Sequence, residues 1–143
     1  MKLVFGSDHA GFHLRRHLAE WARVRGHEVA EVGAESEAPY DYPDAADEAV
    51  PMILEGAWGI LVCGSGIGIS IRANRHAGLR AALCRNPLEA SLARAHNHAN
   101  VLCLGERLTT PYVAEETLAA FLNGTEDTNL RHVRRVEKLD GPV

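Results

Sequence analysis

Five short apolar runs alternate with longer amphipathic stretches along the 143 residues, and this alternation restricts the fold more than any other feature. The runs are too apolar to be half exposed, which is typical of strands in a parallel sheet covered by helices. The predicted strands are 2–6, 27–32, 57–63, 79–84 and 101–104, and the predicted helices are about 11–25, 44–55, 68–76, 87–96 and 111–122. We expect one α/β domain, residues 1–143, with a Rossmann-like three-layer αβα sandwich. Its five-stranded parallel sheet should have the flavodoxin-type order 2-1-3-4-5.

Two segments are less regular than the rest. Pro51 falls inside the second predicted helix, where an interior proline costs about 3 kcal/mol, so we expect a kink or a restart there. Residues 129–143 follow the last long helix and are predicted to form a C-terminal tail or a short helix.

Charge and composition exclude several classes of protein. The net charge of −4 does not favour nucleic acid or an anionic membrane as a partner. No apolar run approaches the roughly 20 residues that span a bilayer, and the amino-terminal segment is too short to read as a signal peptide. Three well-separated cysteines without CxxC spacing argue against a disulfide framework. We therefore expect a cytoplasmic protein.

The predicted topology indicates where a ligand would bind. In open parallel sheets, ligands bind beyond the carboxyl ends of the strands at the point where the strand order reverses, here between the first and third strands. The loops at that point are GSDHAG (6–11) and CGSGIG (63–68). We expect Asp8 and His9 to face Cys63 across one crevice. Asp8 could instead cap a helix, and His9 could be a solvated loop residue.

Glycines follow Cys63 at alternate positions. Gly64, Gly66 and Gly68 allow backbone N–H groups to turn toward a ligand, and the helix that follows directs its positive end to the same place. Such a loop binds a phosphate or an oxyanion, and it also favours a thiolate. Cys63 could therefore be a base beside its own oxyanion hole. Cysteine is as often a buried packing residue, and both readings stay open from the residues alone. The loop is a poor dinucleotide motif, because GxGxxG would need glycine in place of Ile69.

Two polar clusters lie further along the chain. His96 and His98 could ligate a metal, but no carboxylate or thiol accompanies them at ligand spacing. Beside the crevice, His96 and Asn97 would offer an acid–base group and an amide. Arg131 and Arg135 share a helix face, which suits a phosphate, although a solvated basic tail is the alternative.

Taken together, these motifs are similar to those of the B-type ribose-5-phosphate isomerase family, which includes the galactose-6-phosphate isomerase subunits. The motifs occur in the family's order: GSDHAG, DYP at 41–43, CGSGIGISIRANRHAGLRAA at 63–82, HNHANVLCLGER at 96–107 and RHVRRV at 131–136. The resemblance implies a homodimer or homotetramer with active sites shared between subunits. It also implies a phosphorylated sugar substrate, a cis-enediolate intermediate, and neither a metal nor an organic cofactor.

The resemblance also implies roles at the reacting atoms. Cys63 would move a proton between C2 and C1, and His96 would help to open the furanose ring with Asp8 near the ring oxygen. Ser65 would move protons between the two oxygens. The enediolate would be stabilised by the backbone amides of the loop: Gly64, Ser65, Gly66, Ile67 and Gly68.

The rest of the substrate would be held by polar side chains. Asn97 would form a hydrogen bond with the sugar. The phosphate would be held by His9, Arg107, Arg131 and Arg135. By the same resemblance, the partner subunit would supply His96, Asn97 and Arg107, so a monomer should be inactive.

Some features of the chain differ from many members of that family. Ser65 replaces a threonine and keeps the hydroxyl, and Arg75 replaces a lysine outside the expected site. Some relatives use a glutamate from the helix after the loop, but here that helix begins with Ile69 and Ser70, which leaves Cys63 as the base.

Three alternatives to ribose 5-phosphate isomerisation remain open at this point. The same chemistry could act on allose 6-phosphate, galactose 6-phosphate or a tetrulose phosphate. The chain could also be a phosphate-binding module without catalysis, or a metal hydrolase that uses its eight histidines.

Overall fold

Five parallel strands form one sheet in the order β2-β1-β3-β5-β4 in a computed structural model that describes residues 1–143. The strands are β1 (Lys2–Ser7), β2 (Glu28–Gly33), β3 (Trp58–Cys63), β4 (Ala81–Leu83) and β5 (Val101–Gly105). The helices are α1 (Phe12–Val24), α2 (Tyr42–Leu54), α3 (Ile67–Ala73), α4 (Pro87–Asn97), α5 (Pro111–Asn123) and α6 (Leu130–Asp140). A 3₁₀ turn, Glu106–Leu108, follows β5.

The last two strands are exchanged relative to the predicted order 2-1-3-4-5. β5 pairs with β3, from Gly59 opposite Val101 to Cys63 opposite Gly105, and β4 lies at the edge. All five residues of β5 are buried, whereas β4 has only three residues and none of them is fully buried. The longer, more apolar strand therefore takes the interior position, with a neighbour on each side. The switch point is unaffected, because β1 still lies between β2 and β3.

The exposed edge of β4 is partly closed by an asparagine side chain. The Asn74 amide group donates to the carbonyl oxygen of Ala81 at 2.9 Å, and its oxygen accepts from the Ala81 N–H at 2.8 Å. This pair of bonds imitates a neighbouring strand for one residue and leaves less free backbone for uncontrolled pairing.

Helices cover both faces of the sheet, which confirms the three-layer prediction. One face packs against α1, α4 and α5, with Leu18 and Phe121 fully buried, and the other packs against α2 and α3, with Ala45 and Ile69 fully buried. No helix combines the length and the apolar composition needed to cross a bilayer.

The two less regular segments are both helical. α2 runs without a break from Tyr42 to Leu54, so it does not restart at Pro51. Pro51 is exposed, and there water can reach the carbonyl group that proline leaves without a partner. Within residues 129–143, α6 forms the short helix that was one of the two predictions for this segment.

Candidate active site

A cleft of about 520 Å³ opens at the carboxyl edge of the sheet, beside the switch point between β1 and β3. Asp8 and His9 line it together with Cys63, as the topology predicted. The other lining residues are Ala10, Tyr42, Gly64, Ser65, Ile67, Gly68, Arg107 and Leu108.

Cys63 differs from the other two cysteines. It is the last residue of β3, and the Gly66 N–H donates to its Sγ at 3.1 Å. Burial raises the pKa of Cys84 to about 12 and raises the pKa of Cys103 further, so both stay protonated near neutral pH. Cys84 and Cys103 are packing residues, and Cys63 is the thiol of the cleft.

The loop after Cys63 requires glycine for two separate reasons. Gly66 has a φ of 77°, in the left-handed region, and a Cβ there would lie 2.6 Å from Leu83 Cδ1. A Cβ on Gly68 would lie 2.5 Å from Cζ of Tyr42, whose ring rests on the loop. The loop therefore packs closely between Leu83 and Tyr42, and its backbone lies at the surface of the cleft.

Only some of the loop amides are free to bind a ligand. The Gly66 N–H is used by Cys63, and the Ile67 N–H donates to Ser65 Oγ at 3.2 Å. The N–H groups of Gly64, Ser65 and Gly68 have no acceptor within the chain. The oxyanion hole expected over 64–68 thus reduces to three free donors.

Asp8 and His9 both have structural bonds beside their place in the cleft. Asp8 is only 6% exposed, and its Oδ1 accepts from the Gly11 N–H at 2.9 Å, which holds the turn into α1. The Tyr40 N–H lies 3.0 Å from His9 Nδ1 and donates to it when that nitrogen is unprotonated. The proton of the neutral His9 ring is then on Nε2, which leaves a donor for a ligand.

The position of Arg107 corrects one expectation. Its backbone N–H donates to the Gly64 carbonyl oxygen at 3.0 Å, and its Nη1 lies where it would be 2.9 Å from a Cβ on Gly64. This guanidinium makes no hydrogen bond or ion pair within the chain, so it is available to an anion in the cleft. The partner subunit is not needed to supply Arg107, because β5 lies directly beside β3 and the 3₁₀ turn after β5 reaches the loop after β3.

His96 and Asn97 lie at the other edge of the sheet from Cys63. They end α4, next to Asn100, whose carbonyl oxygen accepts from the Gly59 N–H at the start of β3. The rise along β3 from Gly59 to Cys63 is about 13 Å. One chain therefore does not bring His96 or Asn97 to the cleft.

Arg131 and Arg135 are also outside the cleft of their own chain. Both are exposed on α6, which packs beside α4. The His132 ring between them stacks on the His96 ring, with centroids 4.3 Å apart. Burial, and then the charge of His96, lower the pKa of His132, so its ring is neutral at pH 7. The predicted site residues of one chain thus form two groups: those that line the cleft, and those that lie outside it on α4 and α6.

The prediction missed several residues that the structure places in these groups. Tyr42 and Leu108 line the cleft, and Asp127 and His132 lie beside His96. Tyr42 could have been found, because it stands in the DYP motif before a helix-starting proline. Asp127 carries no such signal, since its loop shows no pattern.

These features define a Rossmann-like α/β protein with a cleft at its switch point, where free N–H groups and a guanidinium group would suit an anion. The family model described as ribose/galactose isomerase matches residues 3–139. Ribose-5-phosphate isomerase B of Escherichia coli is 40% identical over 140 residues, which are 96% of this chain and 93% of that protein. The chain belongs to the ribose/galactose isomerase family, which confirms the resemblance.

Solved structures give the same result. Ribose-5-phosphate isomerase B of Clostridium thermocellum superimposes with a TM-score of 0.95 at 39% identity, covering 98% of this chain and 95% of that one. A ribose 5-phosphate isomerase from Thermotoga maritima has a TM-score of 0.94 at 45% identity, covering 97% of both chains.

Proposed function

We propose that this protein interconverts ribose 5-phosphate and ribulose 5-phosphate through a cis-enediolate, with Cys63 as the base. Membership of the family makes the chain a sugar-phosphate isomerase, and the relatives named above act on ribose 5-phosphate by their names. One observation carries the mechanism: the Cys63 thiol, in contact with the Gly66 N–H, lines the same cleft as three free backbone amides. No cofactor is required for this chemistry.

The proton moves as follows. The Cys63 thiolate takes the proton from C2 of the open-chain aldose, and the electron pair of that C–H bond forms the C1–C2 double bond. The charge that develops on O1 is stabilised by the free N–H groups of Gly64, Ser65 and Gly68. The proton on O2 then moves to O1, and the Cys63 thiol returns its proton to C1 to give the ketose.

Ser65 suits the transfer between the two oxygens. Its Oγ accepts from the Ile67 N–H, which fixes the oxygen and leaves the hydroxyl proton free to move. Asp8 is held by Gly11 at the cleft wall, where it would act near the ring oxygen during ring opening. The alternative donor in that step is His96, which must come from a second chain.

An exposed apolar surface supports the proposal that a second chain binds to the first. Five residues of α3, β4 and α4 form it, and we call it the α3–α4 face: Ile67, Ile71, Leu83, Leu88 and Leu92. A two-fold axis perpendicular to α4 would pack this face on its own copy. The same axis would make the α4 helices of the two chains antiparallel. It would therefore bring the residues near the amino ends of the strands in one chain, which we call the amino-edge residues, to the cleft of the other chain.

The amino-edge residues complete the substrate site in this arrangement. His96 of the partner subunit would act at the ring oxygen, and Asn97 would bond to a sugar hydroxyl. The phosphate would meet His9 and Arg107 of the cleft together with the exposed guanidinium groups of Arg131 and Arg135. Because one chain alone cannot assemble these groups, the homodimer is the smallest active unit we propose.

Changing Leu92 to glutamate should convert the protein to inactive monomers. The side chain is 43% exposed in one chain, so the charge is tolerated in the monomer but costs free energy in an apolar interface. Size-exclusion chromatography with light scattering measures the mass, and circular dichroism checks the fold. Val24→Glu is the matched control, since Val24 is 74% exposed at the end of α1. A dimeric, active L92E protein would contradict the proposed interface.

Changing Arg107 to alanine should lower kcat/KM by about 10- to 100-fold, chiefly through KM, because a charged hydrogen-bond donor to the phosphate is lost. Arg75→Ala is the control, since Arg75 is exposed and its side chain makes no hydrogen bond or ion pair within the chain. Steady-state kinetics of both variants decide the point, and an unchanged KM in R107A would remove Arg107 from the phosphate site.

The substrate is tested by following isomerisation of ribose 5-phosphate beside allose 6-phosphate, galactose 6-phosphate and erythrulose 4-phosphate. Efficient turnover of the pentose supports the proposal. Turnover of only a hexose or tetrulose phosphate would keep the chemistry and replace the substrate. No turnover of any of them by the folded dimer would overturn the assignment and favour a binding module.

A further inference from the structure

A group of three potential metal ligands lies outside the cleft of its own chain. His96 at the end of α4, Asp127 in the loop before α6 and His132 in α6 place their ligand atoms within 4.8 Å of one another. No carboxylate accompanies His96 at ligand spacing in the sequence, and the fold supplies one from a distant loop. The proposed reaction does not use Asp127 or His132.

The buried nitrogen of His132 is the second observation. The residue is only 7% exposed, and its Nε2 has no hydrogen-bond partner. The nearest acidic oxygen, Oδ2 of Asp127, lies 3.5 Å away, which is longer than a good hydrogen bond. Buried nitrogens without a partner are uncommon and call for an explanation. Two ligands of one tetrahedral ion, each at about 2.1 Å from it, lie about 3.4 Å apart, close to this separation.

Asp127 is already oriented for this role. Its Oδ1 accepts from the Asn129 N–H at 2.8 Å, which fixes the carboxylate and leaves Oδ2 directed toward His132. A ligating carboxylate held by a hydrogen bond on its other oxygen is the arrangement that strengthens a metal site.

His96 must turn to become the third ligand. The His96 and His132 rings are parallel to within 3°, so the lone pairs in their planes do not point at one ion. His96 is exposed, and rotation of its side chain can direct a nitrogen toward the space between Asp127 and His132. Binding would therefore break the stack of the two rings, and water would be the fourth ligand.

We propose that His96, Asp127 and His132 bind a zinc ion, and that the ion inhibits the enzyme by withdrawing His96 from the substrate. Two imidazoles, one carboxylate and an open position match the ligand preference of Zn²⁺. The binding half of the proposal stands on the geometry alone, whereas the inhibitory half rests on the proposed function of His96.

Zinc binding is tested by equilibrium dialysis of the full chain with ZnCl₂. The wild-type protein is expected to bind one ion per chain, and Asp127→Asn and His132→Phe should each weaken binding at least about tenfold. The asparagine oxygen can still accept from Asn129, so D127N keeps the start of α6. Glu126→Gln is the matched control, because Glu126 pairs with Arg94 instead. Equal affinity in wild type, D127N and H132F would overturn the site.

Cobalt separates this site from the thiols. Co²⁺ bound at the proposed site should give the visible bands of tetrahedral coordination without a thiolate charge-transfer band. A thiolate band that disappears in Cys63→Ala would place the ion at Cys63 and overturn the proposal.

The inhibitory half has its own readout. Zinc should inhibit the wild-type isomerase competitively with the sugar phosphate, chelation should reverse it, and D127N should resist it. If dialysis shows the ion at this site but His96→Asn remains fully active, the catalytic role of His96 fails and the binding site stands. Zinc bound at the site without any inhibition would overturn the regulatory half.

Discussion

Replacing Cys63 with alanine is expected to lower kcat by about 10²- to 10⁴-fold, the range that a positioned acid–base group contributes. The sugar phosphate should still bind, because the free amides of Gly64, Ser65 and Gly68 and the Arg107 guanidinium are unchanged. Steady-state kinetics and calorimetric titration with a non-reacting sugar phosphate measure the two properties separately.

The control for this variant is Cys84→Ala. Cys84 is also a buried thiol next to a strand, but burial raises its pKa to about 12 and it packs in the apolar core. Removing it should not slow the chemistry, because Cys84 lies outside the cleft, so C84A should lose some stability and keep its kcat. Wild-type turnover by C63A would show that another group is the base.

The parts of the site that lie in local loops could be predicted from the sequence. Strand ends of a parallel sheet meet at one edge, so the positions of Asp8 and Cys63 follow from the position of β1 beside β3. The exchange of β4 and β5 could not be read from the order of apolar runs, because both runs are short. The interior position of β5 depends on the burial of all five of its residues, which the length of the run does not show.

That exchange also explains the error over Arg107. The resemblance identified a phosphate-binding arginine but assigned it to the partner subunit. Because Cys63 pairs with Gly105, the chain that continues after β5 passes the loop after β3, and the Arg107 N–H reaches the Gly64 carbonyl oxygen. The contact between His132 and His96 could not be predicted from the sequence for a similar reason, since it depends on how α6 packs beside α4.

Mixing two inactive variants is expected to restore about a quarter of the wild-type activity. Cys63→Ala lacks the base in its own cleft, and His96→Asn lacks the residue that we assign to the cleft of the partner subunit. In a mixed pair, one site carries both changes and the other carries neither. Random pairing after joint refolding makes half of the pairs mixed, and half of the sites in those pairs are intact.

The same experiment with Arg107→Ala in place of His96→Asn should give a different result. Cys63 and Arg107 line one cleft of the same chain, so every site of the mixed pair carries one of the two changes. Activity should then stay at the level of R107A alone after correction for its concentration. Restoration by H96N but not by R107A would distinguish the residues of the cleft from those of its partner. If neither mixture regains activity although both variants are inactive alone, His96 acts within its own chain, and the shared site is wrong.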